Sequence, residues 1–372
     1  MGFILDRTLL QPGDIILTGD KSLTSIGVKI STFSRYSHAA IYVGDTTIEA
    51  TLKGVFSKNV QRIIGKSETD IAVYRSKQKL SENEIEKICS YARSNVGSLY
   101  ALDEAITMRI KSTLKLDKTK RQFCSRLVAE SYAYIEYDFI NLRNPSYCSP
   151  RQLSLCKAFD KVDGILRKAT PEEIEFSQTD DPNNENLRRT FEWLNNVRNM
   201  TKTEAKLRGV DIQTINDVND FLMLYPEYDT KVAGYMKASG YLEHYNEDTK
   251  RNPHRYNEQL FFWAMIQQND LQKFLDFELD KEPGMFKRFT AMLDAYVNFL
   301  KQKNLEYFRL HVRLYINLLT GVYVRLNVIG ASMKRTGDNE SPEGINKLSA
   351  LVKLNLVSAE TALEELGIRN DA

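Results

Sequence analysis

The strongest constraint on the fold is a change in sequence pattern near residue 170. Before this point, short runs of β-branched and aliphatic residues alternate with helical segments, whereas strand-like runs nearly vanish after it. The segment 169–187 is acidic, polar and interrupted by prolines, as a boundary loop would be. Because the chain has 372 residues, more than one core usually accommodates, we expect two domains.

These patterns predict an α+β protein whose first domain, residues 1–168, mixes strands and helices. Residues 169–187 are expected to be the linker, and residues 188–372 an all-helical domain. Apolar residues recur at helical spacing in this second domain. The helices expected there cover 186–197, 218–224, 258–279, 285–302, 305–328 and 358–366.

The first domain has more varied local signals. A two-residue turn at Gly44-Asp45 is expected to join two of its strands as a hairpin. Ser81 and Glu84 have the spacing of a capping box at the start of a helix. The expected strands are 15–17, 38–43, 46–51 and 71–74, and the expected helices are 24–33, 81–94 and one that begins near Cys124.

Charge and cysteine content exclude several classes of protein. The 51 basic and 49 acidic residues leave a net charge of +2, which argues against nucleic-acid binding through bulk charge. Four cysteines in a chain of this length, without a CxxC pair, do not predict a disulfide framework or a zinc site. We therefore expect no metal and no cofactor, and a reducing compartment.

Targeting signals are not recognisable in the sequence. The first residues lack the basic and apolar regions of a secretory signal, and no run of uncharged apolar residues is long enough for a transmembrane helix. The most apolar stretch, 315–330, contains Arg325 and is expected to be a core helix of a helical bundle. These observations predict a cytoplasmic protein as synthesised, with signal-independent export as an open alternative.

A cysteine and a histidine in the first domain suggest covalent catalysis. Cys124 stands where an amphipathic helix is expected to start, and a helix N-terminus lowers the pKa of a thiol. His38 opens a predicted strand and is the only histidine before residue 240, so it is the available base for that thiol. Either residue alone would more often be structural.

The predicted hairpin adds a carboxylate to this pair. With a two-residue turn at Gly44-Asp45, His38 lies opposite Thr51, and Glu49 becomes its diagonal neighbour on the same face of the sheet. A carboxylate in that position can orient the imidazole and stabilise its charged form. A three-residue turn would instead place Glu49 on the opposite face.

These residues occur in motifs that resemble the permuted NlpC/P60 (YiiX/YebB-like) papain-fold enzymes. The similar segments follow the order of that family. They are Pro12-Gly13-Asp14-Ile15-Ile16-Leu17, Tyr36-Ser37-His38-Ala39-Ala40, Ile48-Glu49-Ala50, Val96-Gly97-Ser98-Leu99-Tyr100, Phe123-Cys124-Ser125-Arg126-Leu127-Val128 and Ser149-Pro150-Arg151-Gln152-Leu153. Arg126 stands where the family usually has Glu, and Ala101 where Asp is common. The resemblance covers about residues 10–160.

The resemblance implies that the first domain is a permuted papain-like fold, with a small antiparallel sheet packed on helices. It also implies roles for individual residues. Cys124 would be the nucleophile, His38 the base and Glu49 the orienting residue. The oxyanion hole would use the Cys124 backbone N–H, with Tyr36 as a candidate second donor and Ser125 as a further candidate substrate-binding residue.

Three functions remain open at this point. The first is hydrolysis of an amide bond in a peptide, with cell-wall peptides as a typical substrate of the family. The second is lipid acyl chemistry on phospholipid esters, as in a phospholipase or an acyltransferase of the lecithin:retinol type, in an antibacterial effector. The third is a non-catalytic helical binding module.

The expected partners follow from these alternatives. They are a peptide or an acyl lipid as substrate, a protein bound by the helical domain, and a membrane surface touched transiently by the apolar segment 260–266. Nucleic acid is not expected as a partner.

Overall fold

A computed structural model of the chain describes residues 2–19, 35–101, 119–336 and 342–368. It divides into two compact units, Met1–Asp220 and Phe221–Ala372. The helix expected at 24–33 lies outside the described residues.

Within the described residues, the first unit contains two antiparallel sheets. The strands are β1 Phe3–Leu5, β2 Ile15–Thr18, β3 His38–Tyr42, β4 Thr46–Thr51, β5 Gly54–Asn59, β6 Ile64–Gly65, β7 Ile71–Ser76, β8 Phe159–Lys161 and β9 Leu166–Lys168. The larger sheet has the strand order β5-β4-β3-β2-β7-β8, and the smaller one has the order β6-β1-β9. The expected strands are thus present, and β1, β5, β6, β8 and β9 are additional to them.

The helices of the first unit begin with α1 Glu82–Ser94, α2 Cys124–Ala133 and α3 Pro150–Ser154. Ser81 and Glu84 form the predicted capping box at the start of α1. The helix that starts at Cys124 is also present as expected.

The central strand β2 is buried on both faces, which explains its unbroken apolar sequence. Ile15 and Leu17 are fully buried in a core cluster with Val128 of α2 and with Ala92 of α1. Ile16, on the opposite face, belongs to a second cluster that includes Leu5 of β1. The larger sheet is therefore covered by helices on one face and by the smaller sheet on the other.

The segment 169–187 is helical rather than irregular. It contains α4 Pro171–Gln178 and the start of α5 Pro182–Thr203, with Thr170 and Asp181 as the two N-caps. The prolines that suggested a linker occupy the first position of each helix, where proline is favoured because its missing N–H has no intrahelical acceptor. The first compact unit extends past α5 to Asp220, within α6 Ile215–Leu224.

The second unit consists of helices in the residues that the structure describes. These are α7 Asp229–Ala238, α8 Asn246–Arg251, α9 Glu258–Ile266, α10 Leu271–Leu279, α11 Lys281–Gln302, α12 Glu306–Arg335 and α13 Pro342–Glu365. The single helix expected at 258–279 is two helices, because Asp270 caps a new one by accepting a hydrogen bond from the Lys273 N–H. The last helix starts at Pro342, well before the expected residue 358.

Helix α12 is the most apolar element of the second unit. It has 30 residues and a window of mean hydropathy 1.3, so by length and composition alone it could cross a membrane. Its Arg325 is 5% exposed, and the guanidinium Nε and Nη2 donate to the Glu282 carboxylate at 2.7 and 2.9 Å. The helix packs against α11 and α13, as the sequence predicted for a core helix.

Candidate active site

Cys124 is the first residue of α2, and Phe123 before it has an extended backbone. The residue is 8% exposed, and its thiol is hydrogen-bonded by His38 and by the backbone N–H groups of Ala39 and Ser125. Burial alone would raise the pKa of the thiol. The hydrogen bond and charge of His38, together with the two N–H donors, more than offset burial and lower the pKa below that of an ordinary cysteine.

The β3–β4 hairpin places a carboxylate against the imidazole. Gly44 and Asp45 both have positive φ, 89° and 58°, which is the geometry of a two-residue turn whose twist matches the strands. The register pairs Ala40 with Glu49, so Glu49 shares a sheet face with His38. Its Oε2 lies 2.7 Å from His38 Nε2. The structure therefore has the hairpin register expected from the sequence.

The imidazole of His38 lies between the thiol and the carboxylate. Burial opposes its protonation, but the hydrogen bonds to Cys124 and Glu49, and their charges, raise its pKa to about 10. Because Nε2 is occupied by Glu49, the other ring nitrogen, Nδ1, is left for Cys124. The raised pKa of His38 and the lowered pKa of Cys124 favour a thiolate–imidazolium pair at neutral pH.

Tyr36 and Ser125 are placed less favourably for a direct role. Tyr36 is buried in the same core cluster as Cys124, and its hydroxyl shares a hydrogen bond with Tyr74. The Ser125 hydroxyl donates to the Cys148 carbonyl at 2.7 Å, and the residue is 1% exposed. The hydroxyl is therefore engaged inside the core, and it is the Ser125 backbone N–H that hydrogen-bonds the thiol.

Tyr100 also lies at the site, although the sequence indicated it only as the last residue of a motif and gave it no role. It pairs with Gln122 in a short bridge, which places it beside the Phe123–Cys124 junction. Burial and the negative charge of Cys124 raise the pKa of its phenol, so the hydroxyl stays protonated and can donate a hydrogen bond. The sequence signal for this residue was its place in the motif Val96-Gly97-Ser98-Leu99-Tyr100 of the resemblance.

Arg126, the departure from the family motif, anchors the start of α2. Its guanidinium donates to the carbonyl oxygens of Ser146 and Arg121 at 2.8 and 2.9 Å. The guanidinium group also stacks on Phe123 and Tyr147, and its Cζ lies 4.6 and 4.8 Å from the two ring centroids. This arrangement fixes the chain on both sides of Cys124.

A cavity of about 720 Å³ lies against the His38–Glu49 side of the site. Ile16, Phe56 and Ile71 are among its apolar lining residues, and Lys58 is one of its charged ones. Cys124 is not among the residues that line this cavity. In the described ranges, no group of three or more histidine, cysteine or acidic residues converges as metal ligands would.

Comparison with known proteins agrees with this geometry. Residues 9–150 match the family described as permuted papain-like amidase enzymes, YaeF/YiiX. The YiiX-like part of the expected resemblance is thus supported, whereas the NlpC/P60 name belongs to a neighbouring group that the match does not name. Searches of curated proteins and of solved structures returned no match.

The matched segment contains all the residues of the site, with His38 ahead of Cys124 as a permuted order requires. The first unit therefore contains a permuted papain-like domain, similar to cysteine enzymes that act on amides.

Proposed function

We propose that the chain is a cysteine amidase in which Cys124 is the nucleophile, His38 the general base and acid, and Glu49 the carboxylate that orients His38. The observation that carries the proposal is the bridging imidazole. His38 Nε2 lies 2.7 Å from Glu49 Oε2, while the ring also hydrogen-bonds the Cys124 thiol. A thiol is activated for acyl transfer when it is hydrogen-bonded to a base and this base is in turn hydrogen-bonded to an orienting group.

The reaction follows from the charge state of this pair. The Cys124 thiolate attacks the amide carbonyl carbon, the imidazolium of His38 gives its proton to the departing amine, and the C–N bond breaks to leave a thioester. Water then loses a proton to His38 and attacks the thioester, which releases the acid and restores the thiolate. The carboxylate of Glu49 stabilises the imidazolium before each proton transfer.

The negative oxygen formed in each addition step needs hydrogen-bond donors. The Cys124 N–H lies in the first helical turn, where backbone donors have no intrahelical acceptor. We assign the second donor to the protonated hydroxyl of Tyr100 rather than to Tyr36, because Tyr100 lies within electrostatic reach of the Cys124 sulfur.

We place the scissile amide in a peptide and take cell-wall peptides as the first class to test. The amidase description of the matched family supports an amide over an ester.

Thiol labelling tests the nucleophile without knowledge of the substrate. We expect a limiting amount of a fluorescent iodoacetamide to label the wild type quickly and Cys124→Ala hardly at all. Cys148→Ala is the matched control, because burial raises the pKa of the Cys148 thiol and makes it unreactive. If Cys124 reacts no faster than Cys148, the proposal is wrong.

Substrate assays then test the bond. Wild type and Cys124→Ala would be incubated separately with muropeptides and with phospholipid vesicles, and released amines and fatty acids measured. We expect Cys124-dependent amine release from peptides. Fatty-acid release alone would overturn the amide assignment in favour of ester hydrolysis.

A further inference from the structure

The two oxygens of the Glu49 carboxylate have different partners. Oε2 faces His38 Nε2 at 2.7 Å, and Oε1 lies 3.9 Å from the Lys58 Nζ. The Glu49 side chain is 7% exposed, whereas that of Lys58 is 35% exposed. A buried carboxylate is thus bridged between the catalytic imidazole and a cation at the cavity wall.

The strand register brings Lys58 to this place. In the β4–β5 pair, Thr47 lies opposite Lys58 and Glu49 lies opposite Phe56. Lys58 is therefore a diagonal neighbour of Glu49 on the same sheet face, in the same relation to Glu49 as Glu49 has to His38. Lys58 was not among the expected site residues, because β5 was not among the expected strands.

Other charged groups near the cavity do not replace Lys58. Arg62 donates to the carbonyl oxygens of Phe176 and Asp180 and lies 3.7 Å from Asp181. Lys53 and Lys66 line the cavity but form no ion pair within the described ranges, and Asp70 and Asp180 add negative charge there. Among the described residues, Lys58 is thus the cation besides His38 that lies within 4 Å of the Glu49 carboxylate.

Glu49 needs nearby positive charge to stay ionised, because its carboxylate is buried. Burial favours its neutral form, and the hydrogen bond and charge of His38, with the charge of Lys58, hold the pKa of its carboxyl below the usual value. If Glu49 took up a proton, the imidazolium would lose its counter-charge, and the neutral thiol–imidazole form would be favoured over the reactive pair.

We propose that Lys58 is a positioning residue that holds Glu49 as a carboxylate, with Oε2 turned towards His38, and so extends the catalytic series to Lys58–Glu49–His38–Cys124. This inference rests on the proposed function. Lys58 acts through Glu49 and does not touch the reacting atoms.

The test is the pH dependence of Cys124 alkylation by iodoacetamide in the full chain. In Lys58→Met, we expect the acid limb to move to higher pH and the rate at mildly acidic pH to fall about two- to fivefold, since the lysine is partly solvated. Lys58→Arg should restore the wild-type profile. Lys53→Met, which removes a cation from the same cavity, should leave it unchanged.

The outcomes separate the two claims. Suppose that wild-type Cys124 is alkylated rapidly. If the pH profile of alkylation is then unchanged in Lys58→Met, or is shifted equally in Lys53→Met, the role of Lys58 alone is overturned. A wild-type Cys124 that reacts no faster than glutathione would overturn the proposed amidase, and the positioning role with it.

Discussion

Each ring nitrogen of His38 has its own partner, and this division sets the charge state of the site. Its pKa in the folded protein is about 10, above the ordinary value of 6.5. Protonation of His38 therefore contributes stability in full below pH 6.5, and this contribution is lost as pH rises through about 10. We expect the reactive thiolate–imidazolium pair to disappear over the same alkaline interval.

The hydroxyl of Tyr100 provides the first test at the residue scale. Tyr100→Phe keeps the ring that packs beside Phe123 but removes the proposed oxyanion donor. We expect kcat for the amide substrate to fall about 100-fold, as for other single oxyanion donors. Alkylation of Cys124 does not form an oxyanion, so its rate should hardly change.

Tyr36→Phe is the control for this experiment, because the Tyr36 hydroxyl is hydrogen-bonded with Tyr74. A large loss of kcat in Tyr36→Phe, with little loss in Tyr100→Phe, would return the oxyanion role to Tyr36.

Residues differ in how far their roles could be predicted from sequence. Glu49 was predictable because a two-residue turn fixes the register of a hairpin over a short distance along the chain. The direction of the Ser125 hydroxyl depends on the loop around Cys148, which is distant in sequence. Tyr100 reaches the site through a bridge to Gln122, another long-range contact that local patterns do not specify.

At the scale of elements, helix α5 supports the segment that contains Tyr100. Its Arg198 is 4% exposed and donates to the carbonyl oxygens of Gly97, Gln213 and Ile212 at 2.6, 2.7 and 2.9 Å. Gln213 in turn accepts a hydrogen bond from the Leu99 N–H. Residues assigned from sequence to the linker and the helical domain thus lie in the first unit, together with Cys124 and His38.

Gly54 shows why α5 can pack so closely. It has a positive φ of 108°, and a Cβ there would lie 2.7 Å from the Ser98 carbonyl oxygen and would overlap the Phe191 ring of α5. This contact joins residues more than 130 positions apart, so helical periodicity alone could not predict where α5 packs.

Arg198→Met tests this support. It leaves three buried carbonyl oxygens without their donor, so we expect the first unit to lose about 3 kcal/mol of unfolding free energy. Urea unfolding followed by Trp193 fluorescence measures this loss, because Trp193 is buried in α5. Arg188→Met on the same helix removes only exposed ion pairs and should cost less than about 1 kcal/mol. Equal losses in the two variants would contradict the supporting role.

At the scale of the whole molecule, the second unit contains a histidine that is fully buried in its helical core. His311 of α12 is stacked on Tyr296, with ring centroids 4.3 Å apart, and burial lowers its pKa to about 4. The unfolded chain therefore binds the proton more readily than the folded unit. Stability is complete above pH 6.5 and falls as pH decreases towards 4.

His311→Phe keeps a ring to stack on Tyr296 but cannot take up a proton. Hydrogen exchange of peptides from α12 should show a loss of about 2 kcal/mol between about pH 7 and about pH 5 in the wild type, and a smaller loss in the variant. If both proteins lose protection equally, His311 does not control the acid sensitivity of this unit.

Cys124 and His38 are proposed to form a thiolate–imidazolium pair. The ultraviolet absorbance of the thiolate as a function of pH, taken as wild type minus Cys124→Ala, measures this pair directly. We predict a thiolate signal at neutral pH that titrates below the range of ordinary thiols. In His38→Gln the titration should move up towards that range. A wild-type titration near pH 9, unchanged in His38→Gln, would contradict the account.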